Sequence, residues 1–180
     1  MKRESVAPRA DWQRKLADID YHIGAHPDGR PYWREDVCYV LSENEIEMFH
    51  EAAVETQRMV DAAVARVFTS GRARRLGLPL AAETLAVSSW VAREPSLYGR
   101  FDFAWDGINP PVLLEYNADT PTSLYEAAVV QWRWLVDRDA GADQYNSIQE
   151  KLIERWPACA MGADVIHFAT MRNVEEELQI

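Results

Sequence analysis

Four side chains would do chemistry if the backbone brought them together: Arg100 and Asp102, then Glu115 and Asn117. Side chains on a β-strand alternate between faces, so Arg100 and Asp102 share one side while Phe101, Phe103 and Trp105 take the other. The same alternation sets Glu115 and Asn117 on one face and Leu114 and Tyr116 on the opposite one. Between the two runs lies Asp106-Gly107-Ile108-Asn109-Pro110-Pro111, rich in turn formers, which predicts an antiparallel hairpin with a long loop. Pairing Asp102 with Glu115 sets Arg100 opposite Asn117. Two adjacent carboxylates repel unless a cation lies between them, and an all-oxygen set without His or Cys suits Mg²⁺ better than Zn²⁺. An arginine beside such a cation is placed to hold a phosphate or a developing oxyanion. The plainer alternative is a solvated acidic strand face, and the spacing alone leaves both readings open.

The elements needed to position this hairpin are legible in part. Trp12, Leu16 and Ile19 recur at helical spacing within residues 8 to 20, which predicts a short amphipathic helix. A loop rich in Gly, Pro and His fills residues 21 to 36, and Val37 to Leu41 reads as a short strand. Ser42 with Glu45 three residues on is a capping-box signature. Ile46, Phe49, Ala53, Thr56, Met59, Val60, Ala63, Val64 and Val67 then keep a helical period, so the helix runs over 43 to 69 and ends at Gly71. Arg72, Arg74 and Arg75 follow, as cations that complement the helix dipole. After the hairpin, Thr120-Pro121-Thr122-Ser123 predicts an entry loop whose hydroxyls cap a helix over 124 to 135. Such an N-terminus beside a carboxylate pair is a ready anion site. Residues 145 to 157 predict another helix, and Val165-Ile166-His167-Phe168-Ala169 a buried strand with His167 in the core. The acidic run Val174-Glu175-Glu176-Glu177 that follows reads as the opening turn of a helix, so a second part of the fold is expected beyond it.

Composition narrows the partners. A chain of 180 residues fits one domain with a hydrophobic core. A net charge of -10 argues against a nucleic-acid backbone or an anionic membrane as partner. No apolar run approaches the ~20 residues that cross a bilayer, and the N-terminal residues lack the apolar core of a secretory signal. Cys38 and Cys159 have no companions at metal-ligand spacing and read as reduced thiols, which predicts a cytoplasmic protein. No nucleophile stands out. Ser88, Ser89, His22, His26 and His50 read as structural or surface residues, and Trp132, Trp134 and Trp156 as packing.

Taken together, Tyr32-Trp33-Arg34-Glu35, Gly99-Arg100-Phe101-Asp102-Phe103, the run from Leu114 to Ser123, Glu126-Ala127-Ala128, Gln131-Trp132 and His167-Phe168 carry a likeness. The chain resembles the glutathionylspermidine synthase family of ATP-dependent acid–amine ligases, and more closely its synthetase-only branch. The resemblance implies a mixed α/β fold, helices packed on a mixed sheet, forming the pre-ATP-grasp half of an ATP-grasp-type ligase. It implies one domain over residues 1–180 that stops before the ATP-binding part, with the C-terminal half of the fold as its missing partner. In the family, ATP phosphorylates a carboxylate and an amine attacks the acyl phosphate. By motif position, Asp102, Glu115 and Asn117 match the Mg²⁺ ligands, Arg100 the transition-state residue, and Arg100, Phe101 and Asp102 the nucleotide contacts. Thr120 and Thr122 match contacts to a glutathione-like acid, and Glu175 and Glu176 contacts to a polyamine-like amine. The alternatives are a truncated binding module without activity and a ligase for another acid and amine.

Overall fold

In the computed structural model, which describes residues 1–22, 25–26, 28–119 and 121–167, the chain is a mixed α/β protein. The order is β1 (Lys2–Ser5), α1 (Trp12–Ala17), β2 (Val37–Val40), α2 (Glu43–Thr69), α3 (Leu80–Ala92), β3 (Arg100–Ala104), β4 (Val112–Asn117), α4 (Gln131–Arg138) and α5 (Ile148–Ala160). A 3-10 turn over Ala73–Leu76 precedes α3, and a π-helical turn over Glu126–Val130 runs directly into α4. Among the described residues the strands form two separate antiparallel pairs, β1 with β2 and β3 with β4.

The longest helix has the bounds its local signals set. At its start Ser42 accepts from the Glu45 amide while the Glu45 carboxylate accepts from the Ser42 amide, the reciprocal pair that satisfies amides left without helical partners. At its end Gly71 adopts φ 65, the Arg72 amide bonds the Val67 carbonyl and the Gly71 amide bonds that of Phe68. This is the Schellman arrangement, which needs a residue tolerant of the left-handed region at this position. Arg72 contributes its backbone, and Arg74 reaches Glu83 at 3.6 Å.

The core gathers where the N-terminal segment meets the helix after the hairpin. Leu16, Tyr21 and Val130 are buried there, ringed by Trp12, Ile19, Tyr32, Trp33 and Tyr125. Full burial of one such side chain contributes about 1.5–3 kcal/mol. Tyr21 stacks on Tyr125 at 6.3 Å and meets the edge of Trp33 at 6.2 Å. Elsewhere α2 touches its neighbours through aromatic edges, Phe49 on Trp105 and Phe68 on Trp90. No residue of α2, α3 or α5 is fully buried. The accessible surface is 13404 Å² for 20.6 kDa, against about 8,900 Å² for a compact monomer of that mass.

Three expectations are corrected. Val165, Ile166 and His167 have no regular structure and are exposed: they pair with none of the four described strands, and a short apolar run without a strand partner does not hold strand structure by itself; Phe168 and Ala169 lie outside the described residues. The helix expected over 145 to 157 begins at Ile148 and continues through Pro157, within its last turn. The helix after the hairpin starts without a side-chain cap: among the described residues Thr122 and Ser123 lend it no hydroxyl, and Ser123 instead sits at φ 68 while its carbonyl accepts from the Ala127 amide. No helix among the described residues is long and apolar enough to cross a membrane.

Candidate active site

The β3–β4 hairpin forms with the expected register: Arg100 opposes Asn117, Phe101 opposes Tyr116 and Asp102 opposes Glu115. Beyond Asp102 the pairing shifts by one, so that Phe103 opposes Leu113 and Leu114 is a bulge. A bulge increases the local twist and interrupts the regular ladder one residue from the acidic pair. On the face away from the acids, Phe101 and Tyr116 stack at 4.4 Å. The ring of Tyr116 lies so close over Gly99 that a Cβ there would stand 2.7 Å from Cε2, which is why this turn into the strand carries no side chain.

On the other face the four polar residues converge. Arg100 Nε donates to Asp102 Oδ1 at 2.8 Å and Nη2 to Oδ2 at 3.3 Å, the two-pronged geometry that a planar guanidinium allows. Arg100 Nη1 donates to the Thr122 carbonyl at 2.9 Å, which ties the guanidinium to the loop after the hairpin. Asn117 Nδ2 donates to Glu115 Oε1 at 2.9 Å and to Asp102 Oδ2 at 3.4 Å, bridging the two carboxylates. The guanidinium hydrogen bond holds the Asp102 carboxyl below its ordinary range, against a smaller opposing effect of desolvation. The same bond raises Arg100 further, with the fields of Asp102, Glu115 and Tyr32 adding to it. The result is an ionised acid and a fixed cation side by side on a solvent-accessible strand face.

This donor set fits a hard divalent cation. Two carboxylates and one side-chain amide converge, and the amide group that now bridges the acids presents its oxygen instead after a half-turn about its last torsion. Asp102 Oδ1 is hydrogen-bonded only by Arg100 among the described residues, so it has a lone pair to spare without releasing the guanidinium. Among the described residues no three or more His, Cys, Asp or Glu side chains form a metal cage.

The remaining expected residues fall differently. The Phe101 side chain faces away and packs on Tyr116, so only its backbone adjoins the acidic face. Thr122 joins the site by its carbonyl, while its hydroxyl is without a hydrogen bond among the described residues. Thr120, Glu175 and Glu176 lie outside the described residues. Tyr98, which sequence reasoning passed over, belongs here: its hydroxyl donates to the Pro121 carbonyl at 2.9 Å. Its position two residues before Arg100 was the available signal, since that spacing puts both on one face. Two cavities lie elsewhere, one of about 300 Å³ at the hairpin tip between Trp105 and Asn109 and one of about 290 Å³ between Arg9, Lys15 and Arg133.

The family model described as glutathionylspermidine synthase pre-ATP-grasp matches residues 3–180, and the chain belongs to that family. It is 36% identical over 184 residues to a protein of Haemophilus influenzae named "Putative acid--amine ligase", a match covering 98% of this chain and 47% of that protein. A shorter match, 28% identical over 94 residues, links it to the trypanothione synthetase of Crithidia fasciculata and covers 49% of this chain and 14% of that enzyme. The chain thus spans about half the length, or less, of these relatives.

Proposed function

We propose that this chain supplies the metal and oxyanion-binding part of an ATP- and Mg²⁺-dependent acid–amine ligase that forms an amide through an acyl phosphate. The observation that carries this reading is the convergence of Arg100, Asp102, Glu115 and Asn117 on one hairpin face. Membership of the family, and the names of the relatives, support the same class of reaction.

In this reading ATP transfers its terminal phosphoryl group to the acid carboxylate and leaves as ADP. The amine nitrogen then attacks the acyl carbon, inorganic phosphate departs, and the ammonium proton is lost to solvent. Neither step needs a side-chain nucleophile, consistent with a site that presents none. When bound, Mg²⁺ would supply positive charge that screens the phosphate oxygens. Asp102, Glu115 and Asn117 would hold that ion, and Asp102 also orients Arg100. Arg100 directs its remaining guanidinium N–H groups at phosphate oxygens, where a preorganised donor stabilises developing charge. The backbone of Phe101 lines the nucleotide side, Thr120 and Thr122 bind a glutathione-like acid, and Glu175 and Glu176 bind a polyamine-like amine. The rest of the nucleotide contacts come from a C-terminal half of the fold, in line with the chain spanning 47% of its Haemophilus influenzae relative. The enzyme acts in the cytoplasm, where ATP is available.

ADP release by the complete gene product, with glutathione and spermidine as the first acid and amine to try, tests this directly. Release that requires Mg²⁺ and acid, and that Arg100→Ala abolishes with the circular dichroism spectrum intact, is the expected result. Wild-type-like kinetics in that variant would sink the assignment. Residues 1–180 alone should give no turnover.

A further inference from the structure

The hairpin and the loop after it are tied at two neighbouring points. Tyr98 Oη donates to the Pro121 carbonyl at 2.9 Å, and Arg100 Nη1 donates to the Thr122 carbonyl, also at 2.9 Å. Two consecutive carbonyls of the loop are therefore held by two side chains, two residues apart, at the entry to β3. Pro121 is buried at this junction. Ser123, immediately after it, sits in the left-handed region at φ 68, a conformation that a non-glycine residue keeps only where its surroundings enforce it.

The two ties differ in what a ligand does to them. Arg100 is a cation on an open face, and an incoming phosphate competes with the Thr122 carbonyl for its N–H groups. Tyr98 is half-buried; desolvation raises its phenol above the ordinary range, against the opposing field of Arg100. Its hydroxyl stays protonated at neutral pH and remains a donor to Pro121 whatever occupies the guanidinium. One tie is exchangeable and the other is permanent.

We propose that Tyr98 is a positioning residue that keeps the Pro121–Ser123 segment docked on the strand when Arg100 turns to its anionic ligand. The loop and the guanidinium then stay in one frame, so an acid held by the loop presents its carboxylate where Arg100 receives the phosphorylated product. This rests on the ligase reading above, which assigns the loop to the acid.

The test is Tyr98→Phe in the complete gene product, which removes only the hydroxyl. Loss of one neutral hydrogen bond corresponds to about a five-fold effect. Hydrogen exchange at the Ala127 amide, bonded to the Ser123 carbonyl, should quicken by about that factor while exchange in α2 is unchanged. The KM for glutathione should rise about five-fold with the KM for MgATP unaltered, a split that general loss of stability does not produce. Unchanged exchange at Ala127 overturns the anchoring role, even in an active enzyme. Altered exchange with an unchanged glutathione KM, in a wild-type enzyme that turns over, overturns the positioning role alone. A wild-type protein with no acid-dependent ADP release overturns the ligase reading, and the catalytic purpose of Tyr98 with it, while the exchange result still reports the anchor.

Discussion

Arg9 and Glu35, 26 residues apart, form a buried two-pronged ion pair, with Nη2 2.6 Å from Oε1 and Nε 3.1 Å from Oε2. Their side chains are 5% and 3% exposed. The remaining capacity is used as well: Arg9 Nη1 donates to Asp137 Oδ2 at 2.9 Å, and Trp33 Nε1 donates to Glu35 Oε1 at 2.8 Å. The pair clasps the N-terminal segment, the loop before β2 and the end of α4 around the core that supports the hairpin's exit loop.

Removing one partner of such a pair leaves a buried charge without compensation, which costs about 3–5 kcal/mol. Arg9→Ala should lower the urea midpoint accordingly at pH 7. The pH dependence has a definite sign. Burial alone would raise the Glu35 carboxyl, but the hydrogen bonds from Arg9 and Trp33 outweigh it and leave it below the ordinary range. A depressed carboxyl stabilises the fold above its unfolded value, and that stability is lost as pH falls through the folded value. The gap between wild type and Arg9→Ala should therefore narrow below about pH 4.3, where even an unfolded glutamate protonates. A gap that is small, or constant with pH, would contradict the clasp.

Gly99→Ala asks whether the hairpin tolerates one added carbon. Besides Tyr116 Cε2, the new Cβ would stand 2.9 Å from Tyr116 Oη and 3.2 Å from the Asn117 carbonyl. Tyr116 cannot swing aside without losing its stack on Phe101. Overpacking of this kind costs about 1–3 kcal/mol, and thermal melts should show it together with a changed near-ultraviolet tyrosine signal. An unaltered melt would mean the ring is not held there.

Asp106 organises the hairpin loop. Its Oδ1 accepts from the amides of Ile108 at 2.9 Å and Asn109 at 2.8 Å, and its Oδ2 accepts from Asn109 Nδ2 at 2.7 Å. These bonds, the Asn109 side chain first, lower its pKa to about 2. A carbon-13 titration should find its midpoint there, and Asn109→Ala should move it back toward 3.8, the ordinary value. The loop's contribution to stability is whole above that ordinary value and is lost as pH falls through about 2.

What the sequence made legible was local. The capping box at Ser42, the glycine at 71 and the alternation around Asp102 and Glu115 are signals written within a few residues, and the helix bounds and hairpin register follow from them. The missed features depend on partners far along the chain. Lys2-Arg3-Glu4-Ser5 has no strand signature and is a strand only because β2 pairs with it. The helix over Leu80–Ala92 is apolar over most of its surface, so it lacks the two-faced period that marked α2. Arg9 with Glu35, and Tyr98 with the Pro121 carbonyl, join residues that no spacing rule connects. Val165 and Ile166 show the converse, an apolar run that reads as a strand but pairs with none of the described strands.

The π-helical turn at Glu126–Val130 has a further consequence, one of phase. Tyr125 donates to the Ile19 carbonyl and packs on the core, and Val130, five residues later, is buried in that same core. In an α-helix residues at this separation point well apart, whereas one π turn brings them into line. The wider turn thus acts as a clutch between two stretches of helix. The stretch before it is indexed to the hairpin's exit loop, the stretch after it to the Arg9 clasp, and the count of residues between Tyr125 and Val130 keeps the two in step.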